Sequence, residues 1–487
     1  MNFIGKFTRG NLTDKAIVAT FWVFSLRIFN KLLELVRKIV LARLLSPNDF
    51  GLMGIAFLTI TIVETFTETG FQKALIQRKD GEEKLLNAAW SMQIIRGLFL
   101  FVVLYILTPS IVSFFEEPQA FWILRVIGIK VLIDGFNNIG VIYFQKNLNF
   151  KMEFFYRSVG VIISVIVGVV LAFMLRNVWA LVFSALIHDL IMVIMSYVIS
   201  PYKPKFDFSL AKWNELFIFG RWMLGSSIVY FITVHGDDLL LARLLGTTAL
   251  GFYQMAYQIS NIMATEVSKI IGKVAFPVYS KVQDNIIKLK TAYIIILKFI
   301  CYINFPATTG ILLLANNFVI LFMGEQWLPI IPPLYILVIS GLIRSLMGGS
   351  LFIGVGKPDL DFKIQLVRAV FLMILVIPLT LKWDMMGTAM SVLLSLISMM
   401  FLWSYYIVKI VQIKYLSLIK VFLKPLIGSI IIMIIILLYN TYVSYEASFL
   451  NFSLKIILGV SVYCVYLIFL WKVFNDGPIS IMKKYFN

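Results

Sequence analysis

Arg27, Lys31, Glu34 and Lys38 follow one another at intervals of four, three and four residues. On a helix they share one stripe, with Arg37 beside it. The stretch that carries them, 16–44, is otherwise largely apolar. A charge at the centre of a membrane helix costs roughly 2.5–3.5 kcal/mol on insertion scales, so such residues face a partner or a polar cavity. Glu34 and Lys38 are spaced to neutralise each other in part. Arg27 and Lys31 have no such local partner, and a polar cavity or an anionic ligand is the economical explanation.

Fainter stripes recur downstream. Lys130, Asp134, Asn137 and Asn138 fall in 119–145, with Arg125 one turn earlier, and Thr61, Glu64, Glu68 and Gln72 fall in 50–76. Gln254, Gln258, Asn261, Thr265 and Lys269 are spaced +4, +3, +4 and +4, flanked by Glu266, while His235, Asp237 and Asp238 lie in the preceding segment. We read Arg27, Lys31, Lys38, Arg125 and Lys130 as candidate anion ligands and Gln254, Gln258, Asn261 and Lys269 as polar lining of a cavity. Glu34, Asp237 and Asp238 are candidates for a gate or for binding a coupling ion, H⁺ or Na⁺. Plainer roles stand beside these. Glu64, Glu68, Asp134 and Glu266 can hold helices together through buried pairs, the Gln254–Lys269 stripe can be interhelical glue, and Arg43 and Arg243 can snorkel to the interface.

Other chemistries are poorly served. The two cysteines, Cys301 and Cys464, lie in apolar segments, and the two histidines are His188 and His235, so neither a disulfide framework nor a multi-His metal site is expected. No P-loop or dinucleotide fingerprint occurs. No cofactor and no enzyme activity are expected.

The elements that must position these residues are membrane helices. Hydrophobic residues make up 60% of the 487-residue chain and charged ones 14%, against roughly 25% charged in soluble domains. Fourteen helices are expected near 16–44, 50–76, 89–115, 119–145, 155–175, 178–199, 215–245, 249–274, 290–315, 329–353, 362–381, 385–408, 418–439 and 453–473. Breakers such as Ser46-Pro47-Asn48-Asp49 and Gly356-Lys357-Pro358-Asp359 fall between them.

Lys and Arg gather at the N-terminus, in the even-numbered connections and at the C-terminus, whereas odd connections carry only Arg176 and Lys382. Short basic loops stay cytoplasmic, which places both termini in the cytoplasm. The same alternation accounts for much of the net charge of +18 without a nucleic-acid partner. Anionic lipid headgroups would be attracted to that face.

Leu41-Ala42-Arg43-Leu44-Leu45 recurs letter for letter as Leu241-Ala242-Arg243-Leu244-Leu245, and at the same offset Trp22 matches Trp222, Gly51 matches Gly251 and Ala56 matches Ala256. Six spans separate the copies, so both enter the membrane in the same direction. The fold class is therefore all-α integral membrane. A six-helix lobe over 1–200 is followed by a parallel one over 201–410, and 411–487 holds helices 13 and 14 and a cytoplasmic tail. At matched positions Arg37 and Lys38 face Asp237 and Asp238 in the alignment, which allows either a static pair at the lobe interface or a coupling site.

The stretch Val40–Gly51, with Gly70-Phe71-Gln72-Lys73-Ala74-Leu75-Ile76-Gln77, resembles the polysaccharide transporters of the multidrug/oligosaccharidyl-lipid/polysaccharide flippase superfamily. So does Gly236-Asp237-Asp238 running into the second Leu-Ala-Arg-Leu-Leu, with Gly251-Phe252-Tyr253 after it. The resemblance covers roughly 10–410. It implies a monomer of the cytoplasmic membrane with two lobes and a cationic cavity. By family, such proteins carry polyprenyl-diphosphate-linked oligosaccharide repeat units to the exterior leaflet by alternating access, often driven by an ion gradient. A multidrug cation exporter of the same superfamily is the nearest alternative, although its cavity would be more acidic. An integral-membrane glycosyltransferase or polymerase is the alternative of a different class. Such enzymes use a sizeable exterior loop, and the longest here is near Asn440–Phe452.

Overall fold

In a computed structural model, the structure describes residues 29–67, 75, 83–147, 149–443, 448–478, 480 and 483. Arg27, Glu68 and Gln72 lie outside the described residues. All the regular structure described is helical. Helix α1 covers 29–44. It is followed by α2 (Pro47–Phe66), α3 (Glu83–Phe115), α4 (Ala120–Ile127), α5 (Ile129–Gly135), a 3₁₀ turn (Ile139–Val141) and α6 (Ile142–Lys146). Then come α7 (Phe150–Leu175), α8 (Trp179–Ile199), α9 (Leu210–Val282), α10 (Ile286–Phe318), α11 (Ile331–Leu346), α12 (Ser350–Gly354), α13 (Pro358–Val411), α14 (Tyr415–Tyr442) and α15 (Phe449–Phe474). Among the described residues eight helical stretches are long and apolar enough to cross a membrane.

The breakers act as their chemistry requires. Ser46 caps α2: its hydroxyl accepts from the Asp49 N–H, the Asp49 carboxylate accepts from the Ser46 N–H, and Pro47 occupies the first turn, where it loses no helical bond. Straight, the 54 residues of α13 would reach about 80 Å, more than twice a hydrocarbon core of roughly 30 Å. The helix instead folds back at Trp383 and Asp384, and Asp384 takes φ 49°. A Cβ on Gly387 would lie 1.8 Å from the Leu379 carbonyl oxygen, so only glycine lets the arms meet there. α9 turns likewise at Gly246, with φ 79° and ψ −175°. These two runs hold the expected pairs 215–245/249–274 and 362–381/385–408.

Two expected helices are interrupted, and one of them, 329–353, falls into α11 and α12, parted at Met347, Gly348 and Gly349. The stretch 119–145 is not a single helix but α4, α5, a 3₁₀ turn and α6. Gly97 and Gly135 bring α3 and α5 into backbone contact; a Cβ on Gly97 would sit 2.9 Å from the Val131 carbonyl oxygen. Just beyond, Gln93 Nε2 donates to the carbonyls of Asp134, Gly135 and Asn137, at 3.0, 3.2 and 3.3 Å. Asn138 ends the break, its Oδ1 accepting from the Gly140 N–H and its Nδ2 donating to the Tyr202 carbonyl at 2.7 Å. Inside a bilayer, freed backbone groups need such replacements.

By packing the chain divides into two compact units. One comprises the described residues up to Phe231 together with Leu245–Gly251; the other comprises Ile232–Leu244 and Phe252 onward. The core of the first gathers Leu41, Leu52, Ile60, Leu104, Ile127 and Val182 from five elements. Within it the two copies of the repeated turn meet. Thr247 Oγ1 donates to Asn48 Oδ1 and also reaches Glu117 Oε1 at 2.9 Å. A Cβ on Gly51 would lie 1.8 Å from the Thr247 carbonyl oxygen, and one on Gly251 would lie 2.0 Å from that of Pro47.

In the second unit α14 and α15 pack on α10. Pro306 lacks the N–H that would bond the Tyr302 carbonyl, and the Tyr463 hydroxyl donates to that carbonyl at 2.8 Å instead. Gly428 leaves room for the Tyr466 ring, whose hydroxyl donates to the Lys424 carbonyl at 2.7 Å. Beyond the end of α15, Asp476 accepts from Lys298 at 2.8 Å and from Lys424 at 2.6 Å.

Candidate functional site

In the first unit the charged stripe of α1 is turned away from its apolar face. Leu32 and Val36 are more than half exposed, as a lipid-facing row would be. Lys31, Glu34 and Lys38 project from the other side of the helix. Lys31 Nζ pairs with Glu34 Oε2 at 3.3 Å, so the salt bridge is i,i+3 rather than the Glu34–Lys38 pair expected from spacing. Both spacings share a helix face, so spacing alone does not decide which lysine Glu34 pairs with. Lys38 makes no hydrogen bond or ion pair among the described residues; Lys31, Arg37 and Glu34 surround it electrostatically. Three cations therefore crowd one carboxylate.

Lys130 has a different setting. Its Nζ lies 2.8 Å from Asp134 Oδ2 and 2.8 Å from Asp189 Oδ2. Asp189, on α8, also meets His188 Nδ1 at 2.8 Å. Glu64 lies within electrostatic reach of this cluster, and its backbone carbonyl accepts from Arg96 at 3.1 Å. Arg125 is elsewhere, its guanidinium 4.2 Å from the centroids of both Tyr105 and Phe121 and 5.5 Å from that of Trp122. Trp122 is 62% exposed, so this cage lies on the outer surface. Asn138 is spent on the helix break.

In the second unit the arms of α9 pair their polar groups across the Gly246 turn. Asp237 Oδ2 accepts from the Tyr253 hydroxyl at 2.7 Å, and Asp238 Oδ2 accepts from Gln254 Nε2 at 3.1 Å. His235 Nδ1 stands 4.0 Å from Asp238. The cations acting on Asp237 are Arg368 and Arg344. Arg368 donates to the Thr233 carbonyl at 2.9 Å, and Arg344 donates to the Tyr257 hydroxyl. Asn261 donates to the Tyr257 carbonyl and to Ser260 Oγ, both at 3.0 Å, and its Oδ1 abuts Gly341. Gln258 is exposed, and Lys269 sits further along the same arm.

The polar stripes thus resolve into three groups: the α1 cations, the Lys130–Asp134–Asp189–His188 cluster, and the Asp237–Asp238 group with Tyr253 and Gln254. Asp189, Arg344, Arg368 and Tyr253 were not singled out by spacing. Arg368 stands among apolar neighbours in sequence, while Asp189, Tyr253 and Arg344 sit beside His188, Gln254 and Ser345. Only an ionisable residue in a membrane segment marked Asp189, Arg344 and Arg368.

A family model described as polysaccharide biosynthesis protein matches residues 40–332, more than half of the chain. The chain belongs to that family. Both copies of Leu-Ala-Arg-Leu-Leu fall in the matched region, in keeping with the resemblance drawn from them. The lipopolysaccharide biosynthesis protein WzxC of Escherichia coli (strain K12) is 28% identical over 394 residues, covering 79% of this chain and 78% of that protein. The teichuronic acid biosynthesis protein TuaB of Bacillus subtilis (strain 168) is 27% identical over 339 residues, 68% of this chain and 69% of that protein. The lipid II flippase MurJ in an inward closed conformation shares the fold, with a TM-score of 0.76 at 17% identity over 94% of this chain and 100% of that one. The chain is thus an all-helical, multi-pass membrane protein.

Proposed function

We propose that this protein is a flippase that moves polyprenyl-diphosphate-linked oligosaccharide repeat units across the cytoplasmic membrane for surface polysaccharide synthesis. It works by alternating access and catalyses no covalent step. The observation that carries this reading is the excess of cations on the side of α1 opposite Leu32 and Val36, where Lys31, Arg37 and Lys38 surround one carboxylate. A diphosphate carries the charge to complete that set. Membership of the polysaccharide biosynthesis family supports a glycan as the group attached to it.

In this reading the chain crosses the membrane fourteen times as two parallel six-helix lobes, 1–200 and 201–410, with helices 13 and 14 added and both termini cytoplasmic. Arg27, Lys31 and Lys38 contact the diphosphate. Lys130 acts through its ion-pair cluster, and Arg125 anchors the outer surface. Gln254 and Asn261, with Gln258 and Lys269 further along, offer groups to the glycan. Asp237 and Asp238 serve coupling to H⁺ or Na⁺, and the protein works as a monomer.

The test is transport by purified protein in proteoliposomes, with a fluorescent lipid-diphosphate saccharide as substrate. Lys38→Gln and Lys31→Gln should each cut flipping at least tenfold at unchanged protein level. Lys38→Arg should retain part of it, because the charge persists on a bulkier fork. Full activity in both glutamine variants would remove the α1 cations from the mechanism.

A further inference from the structure

The connection between α8 and α9 is an extended strap, 201–209, fastened to the first unit from one side. The Lys205 N–H donates to Asn87 Oδ1 at 2.9 Å and the Asp207 N–H donates to Ser91 Oγ at 2.8 Å. The Tyr202 hydroxyl bonds the same Asn87 oxygen, and the Tyr202 carbonyl accepts from Asn138. Trp213 Nε1 closes the far end on the Asp207 carbonyl at 3.2 Å. These bonds turn Tyr202 and Asp207 inward and leave Lys203, Lys205, Phe206, Phe208 and Leu210 outward.

The outward face pairs rings with cations. Phe206 and Phe208 are 61% and 59% exposed and stack at 5.8 Å with an interplanar angle of 12°. Phe206 rests on Trp90 at 4.9 Å, and Phe208 meets Trp213 edge-on at 6.2 Å. The one acid of the strap does not oppose Lys203 and Lys205. A hydrogen bond from Lys212 at 2.6 Å and the Ser209 N–H hold the Asp207 carboxyl below the usual carboxylate range, as an internal ion pair. Among the described residues, an exposed acid at that end of α3 is Glu83, one turn before Asn87.

Exposed aromatic rings beside lysines, on backbone that cannot retract, suit the boundary between acyl chains and anionic headgroups. We propose that the strap is a docking surface for anionic phospholipid: Phe206, Phe208 and Leu210 enter the headgroup–acyl boundary, and Lys203 and Lys205 bind the phosphate headgroups. The strap directly follows α8, which is long and apolar enough to cross a membrane, so it begins where that helix leaves the bilayer. The proposal needs only that the chain sits in a bilayer and does not depend on the transported substrate.

The test places an NBD fluorophore on Leu210→Cys in a Cys301→Ser, Cys464→Ser background, in phosphatidylcholine vesicles. Doxyl-labelled phosphatidylglycerol or doxyl-labelled phosphatidylcholine is added at equal fractions. The expected result is quenching at least twofold stronger from phosphatidylglycerol, with the difference lost in Lys203→Gln, Lys205→Gln. Both lysines are exposed and the strap is fastened through other groups, so the double variant keeps its bonds. Equal quenching by the two lipids would overturn the proposal, because the strap would then touch lipid without selecting the headgroup. Absence of quenching by either would overturn it as well.

Discussion

The Lys130 ammonium lies 2.8 Å from the Asp189 carboxylate, fifty-nine residues away in sequence, while Asp134 holds it at the same distance from its own helix. The side chain is mostly buried, so Lys130 is the neutralising centre of a buried network. Removing it leaves two carboxylates without their cation. Breaking a buried pair in this way typically costs about 3–5 kcal/mol. Lys130→Gln should therefore lower the thermal unfolding midpoint in detergent markedly, whereas Lys38→Gln, with no partner to orphan, should leave it near the wild-type value. Equal midpoints for the two variants would count against the distinction.

Asp237→Asn preserves an acceptor for the Tyr253 hydroxyl, and Asp238→Asn preserves one for Gln254. Both variants should fold and reconstitute. At least one should lose the dependence of flipping on an imposed H⁺ or Na⁺ gradient, measured in proteoliposomes with the gradient set by dilution. Unchanged gradient dependence in both would remove this arm of α9 from coupling.

Burial alone would raise the Asp476 carboxyl, but hydrogen bonds from Lys298, Lys424 and the Gly477 N–H outweigh it and hold it down at about 2. Its folded pKa is thus below the ordinary carboxylate value of about 3.9. The sign follows: the contribution is fully present above about pH 4 and is lost as pH falls toward about 2. Asp476→Asn should remove it at neutral pH. The measurement is limited proteolysis just after α15, which should speed up in the variant at pH 7 and in the wild type only under strong acid.

The charge alternation predicts sidedness. In a Cys301→Ser, Cys464→Ser background, a membrane-impermeant maleimide should label Thr248→Cys in intact cells. It should label Asp284→Cys only after permeabilisation. Both sites are exposed. Labelling of Asp284→Cys in intact cells would reverse the orientation.

The helices and their breakers were legible because each is a local matter. Pro47 with Ser46 starts α2, Gly246 turns α9, and apolar length marks a span. The break around Asn137 was not, because it depends on Gln93 from another helix donating to three carbonyls there. The charged stripe of α1 was visible in its spacing, yet spacing could not choose between Lys31 and Lys38 for Glu34, since both lie on its face. Arg125 looked like one more interior cation although Phe121 and Trp122 sit one turn earlier on its own helix; only Tyr105 comes from another helix. The partners of Lys130 and Asp237 were likewise hidden, since Asp189 and Arg368 carry no pattern of their own.

The contact of Gly51 with the Thr247 carbonyl and of Gly251 with the Pro47 carbonyl has an evolutionary corollary. A turn that was once a single stretch of gene now packs against its own duplicate, so each copy is part of the other's selective environment. Drift is blocked at the two glycines, because each meets a backbone carbonyl of the other copy whatever side chain that residue carries. A methyl group gained at position 51 would be resisted by the backbone of the second copy, and one gained at 251 by the first. At the contact the two glycines match, while the residues they touch have diverged: Pro47 and Asn48 stand where the second copy has Thr247 and Thr248. Across relatives, positions 51 and 251 should stay small together and change together.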